Sequence, residues 1–119
     1  MIRILVLLKR KPGLTMQEFI THFETKHAAI GKKIFTGNAV KYSRKYLTPI
    51  EDPRGDTPIV PTYDAVMEAW FEDQAHWDAA LEIARSPEIV AEAIADSEQF
   101  IDRSQRAMYL ADLRETDLG

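Results

Sequence analysis

The 119-residue sequence predicts an α+β protein, a single domain of β-α-β-β-α-β order whose four strands form an antiparallel, ferredoxin-like sheet. Three observations lead there. The chain opens on an apolar run of strand length, two helical stretches are fenced by capping and stop signals, and strand-like and helix-like segments alternate as two β-α-β halves. At 119 residues the chain has the length of one domain, 1–119, and is too short for two.

The first element is residues 2–8, Ile-Arg-Ile-Leu-Val-Leu-Leu, which ends before Pro12-Gly13 and reads as a strand buried on both faces. Thr15 followed by Glu18 is a capping box that starts the first helix. Met16, Phe19, Ile20, Phe23, Ile30 and Ile34 recur at spacings of three and four and give that helix one apolar stripe, and Gly37-Asn38 stops it. Residues 39–48 form a second strand, with Val40, Tyr42, Tyr46 and Leu47 set between Lys41, Arg44 and Lys45. Residues 49–62 hold four of the six prolines and make a long loop: a lid, a dimer arm or a plain surface connection.

Tyr63 to Phe71 is a third strand, apolar on both faces. Asp73 caps a short helix containing Trp77, Leu81 and Ile83, and Ser86-Pro87 restarts helix through Ile89, Val90 and Ile94. Residues 105–113 are the last strand. Helices on one side of such a sheet leave the other side bare. Strands one and three are apolar on both sides, so the bare face calls for a second copy of the chain packed against it.

Composition narrows the function classes. Hydrophobic residues make up 45% and charged residues 29%, enough for a packed core and against disorder. No stretch approaches the roughly 20 apolar residues of a bilayer span, and the N-terminus lacks a signal-peptide cleavage pattern, so no membrane association and a cytoplasmic location are expected. Without cysteine there is no thiolate nucleophile or cysteine metal site. Residues 1–47 carry ten Lys/Arg and two Asp/Glu, a balance of +8. Residues 48–119 carry five and seventeen, a balance of −12, and together they give the net charge of −4. Either the basic half meets an anionic ligand, or the two halves pack on each other.

Among residues able to do chemistry, His27 falls inside the apolar stripe of the first helix at about 100° per residue, so it points inward. It is either a hydrogen-bonded core residue or an acid–base group. His22 lies on the stripe's flank and reads as exposed, and His76, on a short helix, has no assigned role. Asp64 and Glu68 lie on the same face of the third strand as Val66 and Trp70. They either pair with Arg3 or Lys9 or orient a pocket group, and Glu68 is the candidate partner for His27. Phe19, Phe23, Tyr42, Tyr46, Trp70 and Phe71 are expected to line the space between the first helix and the sheet. No metal-ligand spacing, GxGxxG or phosphate loop is present, so neither metal nor cofactor is expected. RNA-recognition modules share this element order but use a basic, glycine-containing third strand. Here that strand is acidic and lacks glycine, which argues against nucleic acid.

Three passages together resemble the EthD family of the dimeric α+β-barrel superfamily. They are Leu8-Lys9-Arg10-Lys11-Pro12-Gly13-Leu14-Thr15 with Glu18-Phe19, Phe23-Glu24-Thr25-Lys26-His27-Ala28, and Tyr63-Asp64-Ala65-Val66-Met67-Glu68-Ala69-Trp70-Phe71. Asp96, Phe100 and Asp102 also fit. The resemblance implies a homodimer of ferredoxin-like units with a pocket for a small-molecule substrate between helices and sheet, and it makes His27 a pocket residue. Family members and close relatives include methylmuconolactone methylisomerases, polyketide cyclases and dehydratases, and cofactor-independent monooxygenases. The chain departs from the pattern in two places. Ala28-Ala29 follow the histidine where a small residue and proline are usual, and Ala69 stands where the methylisomerase branch has cysteine. The expected function is therefore a cofactor-independent lyase, isomerase or cyclase acting on a small aromatic, lactone or polyketide-like metabolite. A cofactor-independent monooxygenase or a non-catalytic binding protein is the alternative. The expected catalytic residues are His27 and Glu68, and the expected substrate-binding residues are Phe19, Phe23, Tyr42, Tyr46, Asp64 and Trp70.

Overall fold

In the computed structural model, which describes residues 1–119, the apolar opening run becomes β1 (Ile2–Arg10), one of the two inner strands of the sheet. A helical body follows in three parts: α1 (Met16–His22), a π-helical turn (Phe23–His27) and α2 (Ala28–Phe35). Next come β2 (Lys41–Tyr46), β3 (Ala65–Phe71), α3 (Gln74–Ala84), α4 (Pro87–Phe100) and β4 (Ile101–Ala111). The sheet order is β2-β3-β1-β4 and every pairing is antiparallel, which is the split β-α-β arrangement read from the sequence. No helix is long and apolar enough to cross a membrane.

The caps explain where the helices begin. The Thr15 hydroxyl accepts from the Glu18 amide at 3.1 Å while the Glu18 carboxylate accepts from the Thr15 amide at 3.0 Å, satisfying two orphan donors at once. Asp73 caps α3 by accepting from the His76 amide at 3.0 Å. Ser86 precedes α4 as expected, but its hydroxyl donates back to the Ile83 carbonyl, so Pro87 in the first turn carries the start. The fourth strand corrects the expected range. It begins at Ile101, directly off α4, because the Phe100 carbonyl is already held by the Lys11 amide.

Strand parity decides which residues meet the helices. Register pairs Ile4 with Ala69, Val6 with Met67 and Leu8 with Ala65, and these face the helical layer. Arg3 pairs with Trp70, Leu5 with Glu68 and Leu7 with Val66, and these share the opposite, outer face. The core lies between sheet and helices, with Phe19, Phe23, Phe71 and Phe100 fully buried. Each such ring stabilises the fold by about 1.5–3 kcal/mol through the area it removes from water. The small Ala65 and Ala69 let the helical layer approach. Basic and acidic halves do pack on each other: Arg10 with Asp64, Lys33 with Glu92 and Lys45 with Glu68.

Candidate functional site

Between the π-helical turn, α2 and the inner face of the sheet lies a cavity of about 450 Å³. Phe23, His27, Ile30 and Ile34 line it from the helical side, and Val6, Tyr42 and Met67 from the sheet. Ser97 of α4 and Arg103 and Arg106 of β4 complete one wall. The lining is mostly apolar with a few polar groups, the usual make-up of a small-molecule site.

His27 reaches this cavity because of the π-helical turn. There the Ala28 amide bonds the Phe23 carbonyl, five residues back. In a regular α-helix His22 and His27, five residues apart, would differ by roughly 140° about the axis. The wider π-helical turn narrows that angle, and both histidines then reach one carboxylate on α4. His27 Nδ1 lies 2.8 Å from Asp96 Oδ2, and His22 Nε2 lies 2.8 Å from Asp96 Oδ1. His22 is thus largely buried against Asp96 and stacked on Phe100 at 4.5 Å, which corrects its expected exposure. It also lines a separate surface groove with Thr21 and Lys26.

A carboxylate can only accept, so Asp96 fixes both tautomers: His27 donates from Nδ1 and His22 from Nε2. That leaves His27 Nε2 as a lone-pair nitrogen on a residue that lines the cavity. Burial lowers the His27 pKa below the ordinary histidine value, and the hydrogen bond and charge of Asp96 oppose that only in part. The ring is neutral at pH 7 and able to accept a proton. Burial likewise pushes the Tyr42 phenol up, so it stays a donor. Its ring packs on Phe35 at 4.8 Å and its hydroxyl lies against Gly31.

Several expected site residues lie elsewhere. Glu68 occupies the outer face, where it accepts from Lys45 and from the Trp70 indole at 3.1 Å, so it cannot be the partner of His27. Even-numbered β3 residues all face outward, and Trp70 is therefore also out of the cavity. Its ring is flanked by Arg3 at 4.7 Å and Lys41 at 4.2 Å. Asp64 accepts from the Arg10 amide at 2.8 Å at the end of the sheet, with Arg10 and not Arg3 or Lys9 as its basic neighbour. Phe19 is core beneath the cavity, packed on Phe23 and Phe100. Tyr46 donates to Glu24, which Arg44 also grips at 2.7 and 2.9 Å. Of the eight expected residues, Phe23, His27 and Tyr42 line the cavity. Asp96, His22, Arg103 and Arg106 were not assigned from sequence. No group of three or more His, Cys, Asp or Glu is arranged to hold a metal ion.

The EthD domain model matches residues 11–104. An ethyl tert-butyl ether D (EthD) family protein of Bacillus halodurans has a similar structure, with TM-score 0.61 and 18% identity, the match covering 96% of this chain and 100% of that one. A protein of Arabidopsis thaliana matches with TM-score 0.61 and 14% identity over 99% and 100%. A dimeric ferredoxin-like protein of unknown function from Thermobifida fusca matches with TM-score 0.57 and 15% identity over 94% and 90%. At such identities the likeness is one of fold. The curated proteins contain no sequence match to the chain.

Proposed function

The chain belongs to the EthD family, and on that premise we propose that it is a cofactor-independent lyase, isomerase or cyclase that moves protons on a small aromatic, lactone or polyketide-like metabolite. One observation carries the reading: a cavity-lining histidine is kept neutral by burial while a carboxylate 2.8 Å away holds its tautomer. His27 Nε2 takes a proton from a carbon beside a carbonyl, and the C–H electron pair moves onto the carbonyl oxygen. The Tyr42 hydroxyl donates a hydrogen bond to that oxyanion. Asp96 stabilises the imidazolium through the Nδ1–H bond. The imidazolium then returns the proton to a different atom of the same molecule, completing an isomerisation, or to a departing oxygen, completing an elimination. His22 holds the second oxygen of Asp96 and so positions it.

Deuterium exchange tests this without knowledge of the native substrate. Aryl ketones, butenolides and β-polyketones are incubated with the protein in D₂O, and loss of the proton beside the carbonyl is followed by NMR. Wild type should exchange at least one class above background. His27→Ala, and His27→Gln as the better-packed replacement, should be slower by about 10²–10⁴-fold with unchanged circular dichroism. Equal exchange in folded variants removes His27 from the chemistry. Binding without exchange makes the protein a carrier.

The same reading makes the working unit a homodimer joined through the outer sheet face. The supports are the apolar Leu5, Leu7 and Val66 on that face and the dimeric ferredoxin-like relative from Thermobifida fusca.

A further inference from the structure

The β1–β4 register jumps between Leu8, paired with Arg106, and Arg10, paired with Ile101. The extra residues of β4 form a bulge in which the Asp102 carboxylate accepts from the Ser104 amide at 3.0 Å and from its hydroxyl. Bulges of this kind redirect side chains, and Arg103, within the bulge, lines the cavity; Arg106 reaches the same wall by ordinary alternation, since its pairing partner Leu8 faces the helical layer.

The charges in that wall are of one sign. No Asp or Glu lines the cavity, and the carboxylates nearby are engaged elsewhere: Asp96 by the two histidines, Asp102 by Ser104. The Nε of Arg103 is buried and has no hydrogen-bond partner, and the nearest acid, Glu98, stands 3.9 Å from its Nη1. That distance is well beyond the roughly 2.7–2.9 Å of a charge-assisted hydrogen bond. Arg106 donates from Nε to the Arg103 carbonyl at 3.0 Å, which braces the bulge, and it forms no ion pair. A buried donor without a partner is uncommon in folded proteins; Arg3 Nε and Ser43 Oγ, on the outer face, are the other two, and Arg103 alone of the three lines the cavity.

We propose that the ligand of this cavity is an organic carboxylate whose carboxyl group is held by Arg103 with Arg106 while its apolar ring lies on the apolar lining. The inference rests on the reading of the cavity as a substrate site and names the substrate class. Arginine's planar fork matches a carboxylate with two parallel N–H bonds, and the apolar remainder of the wall favours a ring over a polar chain. The arrangement also orients the ligand. Its charge sits at the β4 wall, and its reactive carbon is left for His27 on the helical wall.

The test is calorimetric titration of the full chain at low salt with 1-naphthoate, its neutral isostere 1-naphthamide, and 1-naphthyl phosphate. Wild type should bind the carboxylate at least about tenfold tighter than the amide, as for a charged hydrogen-bonded pair. Arg103→Gln should abolish that preference, Arg103→Lys should retain only part of it, and Arg106→Gln should weaken it. His27→Gln should keep the preference, because the base is separate from the carboxylate clamp. Equal affinity for acid and amide, no binding of either, tighter binding of the phosphate, or a preference that survives in both arginine-to-glutamine variants would each overturn the proposal. The preference does not depend on turnover, so failed proton exchange and a failed clamp are told apart.

Discussion

Two influences of opposite sign act on the His27 ring. Burial disfavours the imidazolium and is the larger, while the hydrogen bond and charge of Asp96 favour it, so the folded pKa lies below the ordinary value. A depressed folded pKa means that the unfolded chain binds more protons between the two values. The stability linked to neutral His27 is therefore fully present above about pH 6.5 and is lost as pH falls through the lower, folded value. Catalysis that needs the neutral ring follows the same limb. Tyr42 is held by a different device. A Cβ on Gly31 would stand 2.3 Å from the Tyr42 hydroxyl oxygen and 2.6 Å from Cζ, so the phenol depends on that glycine. Helix propensity alone predicts that Gly31→Ala gains about 1 kcal/mol. The clash inside a packed contact costs about 1–3 kcal/mol and decides the sign. Urea unfolding should therefore show a lower midpoint for Gly31→Ala; a higher one would mean that the phenol swings aside freely. At this scale the sequence was legible where one residue carries its own signal, as with His27 inside an apolar stripe or Thr15 with Glu18. Asp96 entered only through the family resemblance, because its partners lie 69 and 74 residues away and no local pattern ties it to them.

Elements were read well where their period is regular and poorly where it breaks. The alternation of β3 set Glu68 and Trp70 on one face, which is where they are, while Asp64 falls just before the strand. The small Ala65 and Ala69 of the opposite parity are what mark the helix-facing side, and that was the available clue against a Glu68–His27 pair. β1 offered no such contrast, since Leu5 and Leu7 are as apolar as Ile4 and Val6. His22 was misplaced for a definite reason. A wheel at about 100° per residue assumes an α-helix throughout, and the π-helical turn at Phe23–His27 resets the phase between the two histidines. Arg103 was missed because its placement depends on the bulge in β4, which is set by pairing with β1 rather than by local residue pattern, whereas the inward side of Arg106 follows only from its pairing with Leu8.

As a whole the protomer is a two-layer slab, 47 × 44 × 21 Å, with a radius of gyration of 16.0 Å. A compact 119-residue chain is expected near 13.5 Å, roughly, so part of the chain projects. The loop between β2 and β3 exposes Ile50, Ile59 and Val60, and none of its residues lines the cavity, which favours an arm over a lid. With the uncovered outer face, this predicts sedimentation at about twice the 13.6 kDa chain mass at micromolar concentration; a clean monomer would refute the dimer. If the slab holds one poised base, NMR of the histidine ring nitrogens will show it. With only His22, His27 and His76 in the chain, each ring can be assigned and followed through a pH titration. His27 should carry its proton on Nδ1, be neutral at pH 7 and titrate below the ordinary value. Exposed His76, held by Asp73, should titrate above that value. A His27 ring that is protonated on Nε2 when neutral, or that titrates at or above about 6.5, would contradict the poised base.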